Sequence, residues 1–237
     1  MKRKIFAALC CVAAAFAACE PQNGPDNGQN GNNDQNGDNG TAANTENGYE
    51  WVDLGLSVKW ATQNVGAVRP EGYGDYFAWG ETTTKSYYGS YNYKWCNDGC
   101  DTLTKYNTSS EYGTVDNKTV LDLEDDAARA NWGGAWRMPT DAEWTELREN
   151  CTWTWKTLNG INGFEVKGPN GNSIFLPAAG CRDEDDLECA GDYGIYWSSS
   201  LKTDNPFSAW YVSFLSDYVD RYGDGRYCGQ SVRPVCK

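Results

Sequence analysis

Histidine is absent from the 237 residues. That excludes Ser-His-Asp and Cys-His catalytic arrangements, imidazole-bound metals and imidazole general bases. Chemistry built on two carboxylates, or on cysteine alone, stays open. Positive charge is also scarce: 20 Lys and Arg stand against 33 Asp and Glu, a formal net charge of −13. A nucleic-acid backbone or an anionic membrane surface is therefore a poor partner, and an uncharged or cationic ligand a better one. No CxxC spacing and no internal repeat occurs. No apolar run reaches the roughly 20 residues of a permanent membrane span.

The first residues read as an export signal. Lys2, Arg3 and Lys4 form a basic start and Ile5 to Ala15 an apolar stretch ending in small residues. Phe16-Ala17-Ala18-Cys19 resembles a bacterial lipobox, which makes residues 1–18 a lipoprotein signal peptide and Cys19 the lipidated first mature residue. The alternative is a plain signal cut near Ala18. Residues 20–48 are mostly Asn, Gly, Gln and Asp, with no apolar stripe to bury, and are expected to form a disordered tether. Its root-mean-square span as a coil is about 30 Å. Residues 49–237 then form one domain with a real core. Loss of the three N-terminal cations leaves 17 basic against 33 acidic residues, a net −16.

Seven cysteines remain after Cys10, Cys11 and Cys19: Cys96, Cys100, Cys151, Cys181, Cys189, Cys228 and Cys236. Export makes disulfides reasonable, and the odd number leaves one over. Cys96 with Cys100, and Cys181 with Cys189, are local pairs that span loops. Zinc held by these four is the minor alternative, and no cofactor is implied.

Few segments read as helix. Thr140 to Asn150 is the best, with a Thr140/Glu143 capping box, Asp141 in the first turn, and Trp144, Leu147 and Cys151 on one stripe. Leu123 to Asn131 is a second, stopped by Gly133-Gly134. Ten short strands are expected, starting at Glu50–Asp53, Val58–Ala61 and Tyr76–Trp79 and continuing through Thr152–Trp155, Phe164–Lys167, Ile174–Pro177 and Ile195–Ser199. The last three are Ala209–Leu215, Tyr218–Tyr222 and Ser231–Val235. Residues 80–120 and 178–194 read as irregular. The expected class is α+β, with large aromatics covering loops.

The phrases "YEWVDLGLSVKWATQNVG", "GDYFAWGE", "DDAARANWGGAWRMPTDAEWTELRENCTW", "NGNSIFLPAAG", "YWSSS" and "GQSVRPV" run in order through residues 49–236. Together they resemble the Fibrobacter succinogenes major paralogous domain family of exported bacterial proteins. That resemblance implies a C-type lectin-like domain: two helices, a small antiparallel sheet, long irregular loops and neighbouring termini. It also implies a disulfide from the first helix to the last strand, here Cys151 to Cys236, with two separate buried thiols as the alternative. It brings no calcium site, since no Glu-Pro-Asn or Trp-Asn-Asp triplet is present. The acidic run Asp183 to Glu188 is read as a solvated loop in preference to a calcium loop.

The C-terminal strands carry the functional reading. Alternation turns Trp210, Val212, Phe214 and Val219 inward, and Tyr211, Ser213, Leu215, Tyr218, Asp220 and Tyr222 outward. A turn is expected at Ser216-Asp217 and a loop at Gly223-Asp224-Gly225. Tyr, Ser, Gly and Asp are the vocabulary of adaptable binding surfaces. The candidate ligand contacts are Phe207, Ser208, Tyr211, Ser213, Leu215, Asp217, Tyr218, Asp220, Tyr222, Asp224 and Tyr227. The fold relatives include variable proteins diversified by retroelements, in which randomised Asn-type codons cannot become Lys, Glu, Gln, Met or Trp. None of these contacts, nor Ser216, Gly223, Gly225 or Cys228, holds an excluded residue. Arg137 and Arg233 are read as buried structural arginines.

The expectation is a lipid-anchored protein of the bacterial outer membrane. It binds an extracellular protein or glycan through this face, without bond chemistry and without nucleic acid. The alternatives are a fixed-specificity carbohydrate binder and a relative of formylglycine-generating enzymes. In the enzyme reading, Cys181/Cys189 or Cys228/Cys236 are reactive thiols, or Asp220/Asp224 a carboxylate pair.

Overall fold

The computed structural model describes residues 44–97 and 99–237. The expected signal peptide, Cys19 and the tether up to residue 43 lie outside them. Six short strands come first: β1 (Thr45–Glu46), β2 (Tyr49–Val52), β3 (Lys59–Ala61), β4 (Tyr76–Phe77), β5 (Cys96–Asn97) and β6 (Thr102–Leu103). Helices α1 (Ala127–Trp132) and α2 (Asp141–Asn150) follow. Next are β7 (Thr152–Leu158), β8 (Ile161–Lys167), β9 (Ser173–Pro177), β10 (Cys181–Asp183) and β11 (Asp186–Glu188). The chain ends with β12 (Gly194–Leu201), β13 (Ser208–Leu215), β14 (Tyr218–Gly225), β15 (Gln230–Ser231) and β16 (Val235–Cys236). The class is mixed α+β, as expected.

The strands form several small sheets. The largest has the order β14-β13-β12-β15-β4, a second β1-β2-β3-β16, and a third β7-β8-β9. Two hairpins, β5-β6 and β10-β11, occupy the stretches expected to be irregular. The domain begins upstream of its expected start at residue 49. Asn47 and Gly48, both at positive φ (48° and 85°), link β1 to β2 in a two-residue hairpin. Asn-Gly favours such a turn because both positions need φ above zero. Trp136 Nε1 donates to Glu46 O at 2.7 Å and fixes the hairpin on the body.

Helix α2 forms where its capping signals lie. Thr140 Oγ1 accepts from Glu143 N at 3.2 Å, and Glu143 Oε2 accepts from Thr140 N at 2.8 Å. Arg137 grips the same Glu143 carboxylate through both guanidinium nitrogens. α1 starts later than the expected Leu123: residues 123–125 make a 3-10 turn, and Asp126 caps the helix by accepting from Arg129 N. The expected Ser231–Val235 strand divides in two. β15 sits between β12 and β4, while β16 pairs with β3. Pro234 lacks the N–H needed to continue one ladder.

Two aromatic clusters cover opposite faces of the largest sheet. Trp197, with Trp79, Tyr106, Trp132 and Trp136, packs on one face. Tyr196, Val212 and Phe214 pack on the other with Trp60, Trp144, Leu147 and Phe164. Each fully buried large side chain contributes roughly 2–3 kcal/mol of transfer free energy. Buried indoles also knit the backbone together. Trp79, Trp144 and Trp197 donate to the carbonyls of Ser198, Trp197 and Phe77 at 2.8, 3.1 and 2.9 Å.

The proposed Cys151–Cys236 bridge is not formed; both are thiols. Cys236 packs in the first cluster, whereas Cys151 borders the second. The one disulfide among the described residues joins Cys96 to Cys100.

Two arginines are almost wholly buried. Arg233 donates to Asn64 Oδ1, Ala61 O and Phe175 O at 2.9–3.0 Å, in keeping with its expected structural role. Arg226, which sequence reasoning passed over, donates to Tyr93 Oη (2.9 Å), Pro206 O (2.9 Å), Lys105 O (3.0 Å) and Tyr106 O (3.2 Å). Its guanidinium lies over the rings of Trp79, Tyr93 and Tyr106. Arg226→Ala leaves these acceptors without donors and is expected to cost at least about 3 kcal/mol in denaturant unfolding. Arg226→Lys recovers less than half, because one ammonium cannot serve so many fixed directions.

Burial pushes the Asp126 carboxyl up to about 6, against the N–H groups of Arg129 and Met138 that favour its charge. The folded state then holds a proton that the unfolded state has released, so this group's contribution falls as pH rises from about 4 to 6. Asp126→Asn is expected to remove that component. Between these pH values the variant should gain on the parent by on the order of 2 kcal/mol in unfolding free energy.

Candidate functional site

The register of β12, β13 and β14 assembles the candidate face. Trp197 pairs with Tyr211, and Tyr211 with Tyr222; Ile195 pairs with Ser213, and Ser213 with Asp220; Leu215 pairs with Tyr218. Directly opposed residues share a face, so Tyr211, Ser213, Leu215, Tyr218, Asp220, Tyr222 and Asp224 lie together. Exposure rises across the first row. Trp197 is 0% exposed, Tyr211 half-buried, and Tyr222, on the outermost strand, 41% exposed. The first aromatic cluster covers β12 and thins out before β14.

Along β14, Tyr218 Oη donates to Asp220 Oδ2 at 3.1 Å and shares a hydrogen bond with Tyr222 Oη. These bonds raise the Tyr218 hydroxyl above the ordinary tyrosine range, the Tyr222 contact most. The Arg221 N–H donates to Asp220 at 2.8 Å and, helped by Arg148, holds its carboxyl below the usual range. Asp217 is exposed in the expected turn.

Other expected contacts sit elsewhere. Ser208 is buried; it is even-numbered, so alternation sends it to the opposite face, where its Oγ accepts from Asn205. Phe207 precedes β13 and packs its ring on Tyr112 with centroids 5.0 Å apart. Tyr227 is half-buried against the clusters and covers Gly225. Cys228, an expected variable slot, is buried. Trp210 does lie on the inward face with Val212, but it is only half-buried, with Arg221 4.4 Å and Lys202 5.1 Å above its ring. Gly223-Asp224-Gly225 is not a loop. β14 runs through it, and a Cβ at Gly223 would lie 2.3 Å from Lys202 Cδ.

A cavity of about 390 Å³ opens at one end of the face, lined by Leu215, Ser216, Trp155, Asn162, Asp192 and Tyr193. Sequence reasoning missed Trp155, Asn162, Asp192 and Tyr193. Only the topology brings their segments beside the β13–β14 turn.

The geometry does not favour the enzymatic readings. Asp220 and Asp224 are four residues apart on one strand, about 13 Å, beyond the spacing of two-carboxylate hydrolysis. Burial pushes the Cys181 thiol up to about 12 and Cys228 higher still, and Asp224 adds to both. A reactive thiolate needs the opposite surroundings. Among the described residues, one trio of acids lies close enough to share a cation: Asp122, Glu124 and Asp125. Lys105 Nζ already sits among them at 2.7, 3.3 and 2.6 Å.

No family model, curated protein or solved structure matches the chain. No helix among the described residues is long and apolar enough to cross a membrane.

Tyr218→Ala and Tyr222→Ala are expected to change unfolding free energy by less than about 1 kcal/mol, since neither ring is enclosed. Tyr211→Ala, which removes a ring packed on Trp197, should cost about 2 kcal/mol or more. Denaturant titration of the three variants checks this division of the face.

Proposed function

We propose that this protein is a binding protein tethered to the bacterial outer membrane by lipid on Cys19. Its C-type lectin-like head recognises an extracellular protein through the outward side of β13 and β14. The register carries this reading: it sets Tyr211 beside Tyr222, Ser213 beside Asp220 and Leu215 beside Tyr218 on one half-open face. Rigid rings with small polar neighbours give contact area at low entropic cost. The lectin-like fold has its own support. Strands from the two ends of the head share one sheet, in the order β1-β2-β3-β16, and two helices accompany small sheets and long loops.

The test is capture on intact host or bacterial cells. The parent protein should bind, and the Tyr218→Ala/Tyr222→Ala double variant, folded by circular dichroism, should lose at least about tenfold in affinity. That loss corresponds to roughly 1.4 kcal/mol. Equal capture by both would remove the face from consideration. Retroelement diversification belongs to the same reading. It requires a reverse transcriptase and an adenine-rich near-copy of the tail at the locus, and their absence would sink it.

A second reading, a glycan bound at a fixed site, draws on the cavity beside Leu215. Trp155 and Tyr193 supply rings, and Asn162 and Asp192 supply polar groups suited to hydroxyls. A glycan array should then return one consistent glycan class, lost on Trp155→Ala.

A further inference from the structure

We propose that Asp224, Asp183 and Gln230 receive a single cationic side chain, a lysine or arginine presented by the protein partner. The inference rests on the reading of the β13–β14 face as the recognition surface, and it names the chemistry at one end of that face.

The backbone brings the three residues together. Arg182 and Gly229 exchange both hydrogen bonds, at 2.7 and 2.8 Å, and are therefore directly opposed. One step along each strand, Asp183 falls opposite Cys228 and Cys181 opposite Gln230, with their side chains on a common face. Asp224 reaches this spot from β14: Gln230 Nε2 donates to its Oδ2 at 2.8 Å, and the Cys228 thiol also bonds to it. Tyr211 and Tyr227 lie within electrostatic reach of Asp224.

The site collects acceptors and lacks positive charge. Several other shielded carboxylates have cations: Asp125 has Lys94 and Lys105, Glu81 has Lys85, and Glu143 has Arg137, while Asp126 has the N–H groups of Arg129 and Met138 instead. Among the described residues, no Lys or Arg pairs with Asp224 or Asp183. Burial raises the Asp224 carboxyl above its ordinary range, and the Asp183 charge adds to this. A separate observation points the same way. Gln230 is fully buried, and its Oε1 accepts from nothing. Ammonium and guanidinium groups carry donors only, which suits two carboxylates and an amide oxygen, and tyrosine ring faces attract them further. The β10–β11 hairpin beside the site exposes Glu184, Asp185, Asp186 and Glu188, a field that draws a cation in. The neighbouring thiols and carboxylates do not converge as metal ligands do.

The probe is a short end-capped peptide with one central lysine, set against the same peptide carrying norleucine. Binding to the full-length protein is followed by NMR chemical shifts. The lysine peptide should move the resonances of Asp224, Asp183 and Tyr222, and the norleucine peptide should not. Asp224→Asn and Asp183→Asn, with unfolding midpoints near the parent's, should each weaken binding about tenfold. Asp101→Asn, an exposed acid elsewhere, should leave it unchanged. Equal binding of both peptides, no binding of either, or insensitivity to both site variants overturns the proposal. So does the same set of shifts on adding Ca²⁺ or Zn²⁺ alone. If the peptide result fails while cell capture still depends on Tyr218 and Tyr222, only this inference falls. If capture is indifferent to those tyrosines while the lysine peptide binds, the recognition reading falls and the cation site stands by itself.

Discussion

The fold depends on one costly constraint: the guanidinium of Arg226, taken out of water and satisfied almost entirely by main-chain oxygens. Burying a charge is unfavourable unless every donor is used. Here the donors go to Lys105, Tyr106 and Pro206, with Tyr93 adding its hydroxyl. These partners belong to irregular segments with little ladder of their own. The arginine thus holds two loops against the end of β14, the strand that presents the candidate face. Arg233, just past β15, ties strands to one another instead, through the carbonyls of Ala61 in β3 and Phe175 in β9. A domain with short strands and long connections needs such fixed points, because its loops bury too little regular backbone to hold themselves.

Indoles supply a second set of fixed points. A buried tryptophan offers a large apolar ring and one donor, and several here place that donor on a carbonyl of the largest sheet. The sheet is consequently enclosed on both sides near β12 and progressively uncovered toward β14. That gradient makes one strand face structural at Trp197 and accessible at Tyr222. Inward and outward are too coarse for it: Tyr211 belongs partly to the core, and Trp210 partly to the rim.

How much of this was legible follows from the range of the forces involved. Helix α2 was readable because its capping box and apolar stripe are local. The β13–β14 face was readable because alternation is local too, and Ser208 fails only where that same alternation was not applied. The Asn47-Gly48 hairpin carried a strong turn signal, but it sat in a run already assigned by composition to the tether. Gly223-Asp224-Gly225 looked like a loop by residue type. Its glycines instead admit Lys202 and Tyr227 against the strand, a requirement set by residues distant in sequence. The expected Cys151–Cys236 bridge, the carbonyl cluster around Arg226 and the cavity near Trp155 all depend on which elements become neighbours, and no periodicity encodes that.

β14 is the outermost strand of its sheet. Such a strand ordinarily offers its spare amides and carbonyls to any passing extended chain, and an aromatic surface compounds the hazard. Two charged residues in its middle counter this. Asp220 is held by Arg148 and Arg221 by Asp141, both from α2, so a helix clasps the margin where a foreign strand would have to add. The clasp thereby guards the backbone while the Tyr218 and Tyr222 rings stay open to solvent.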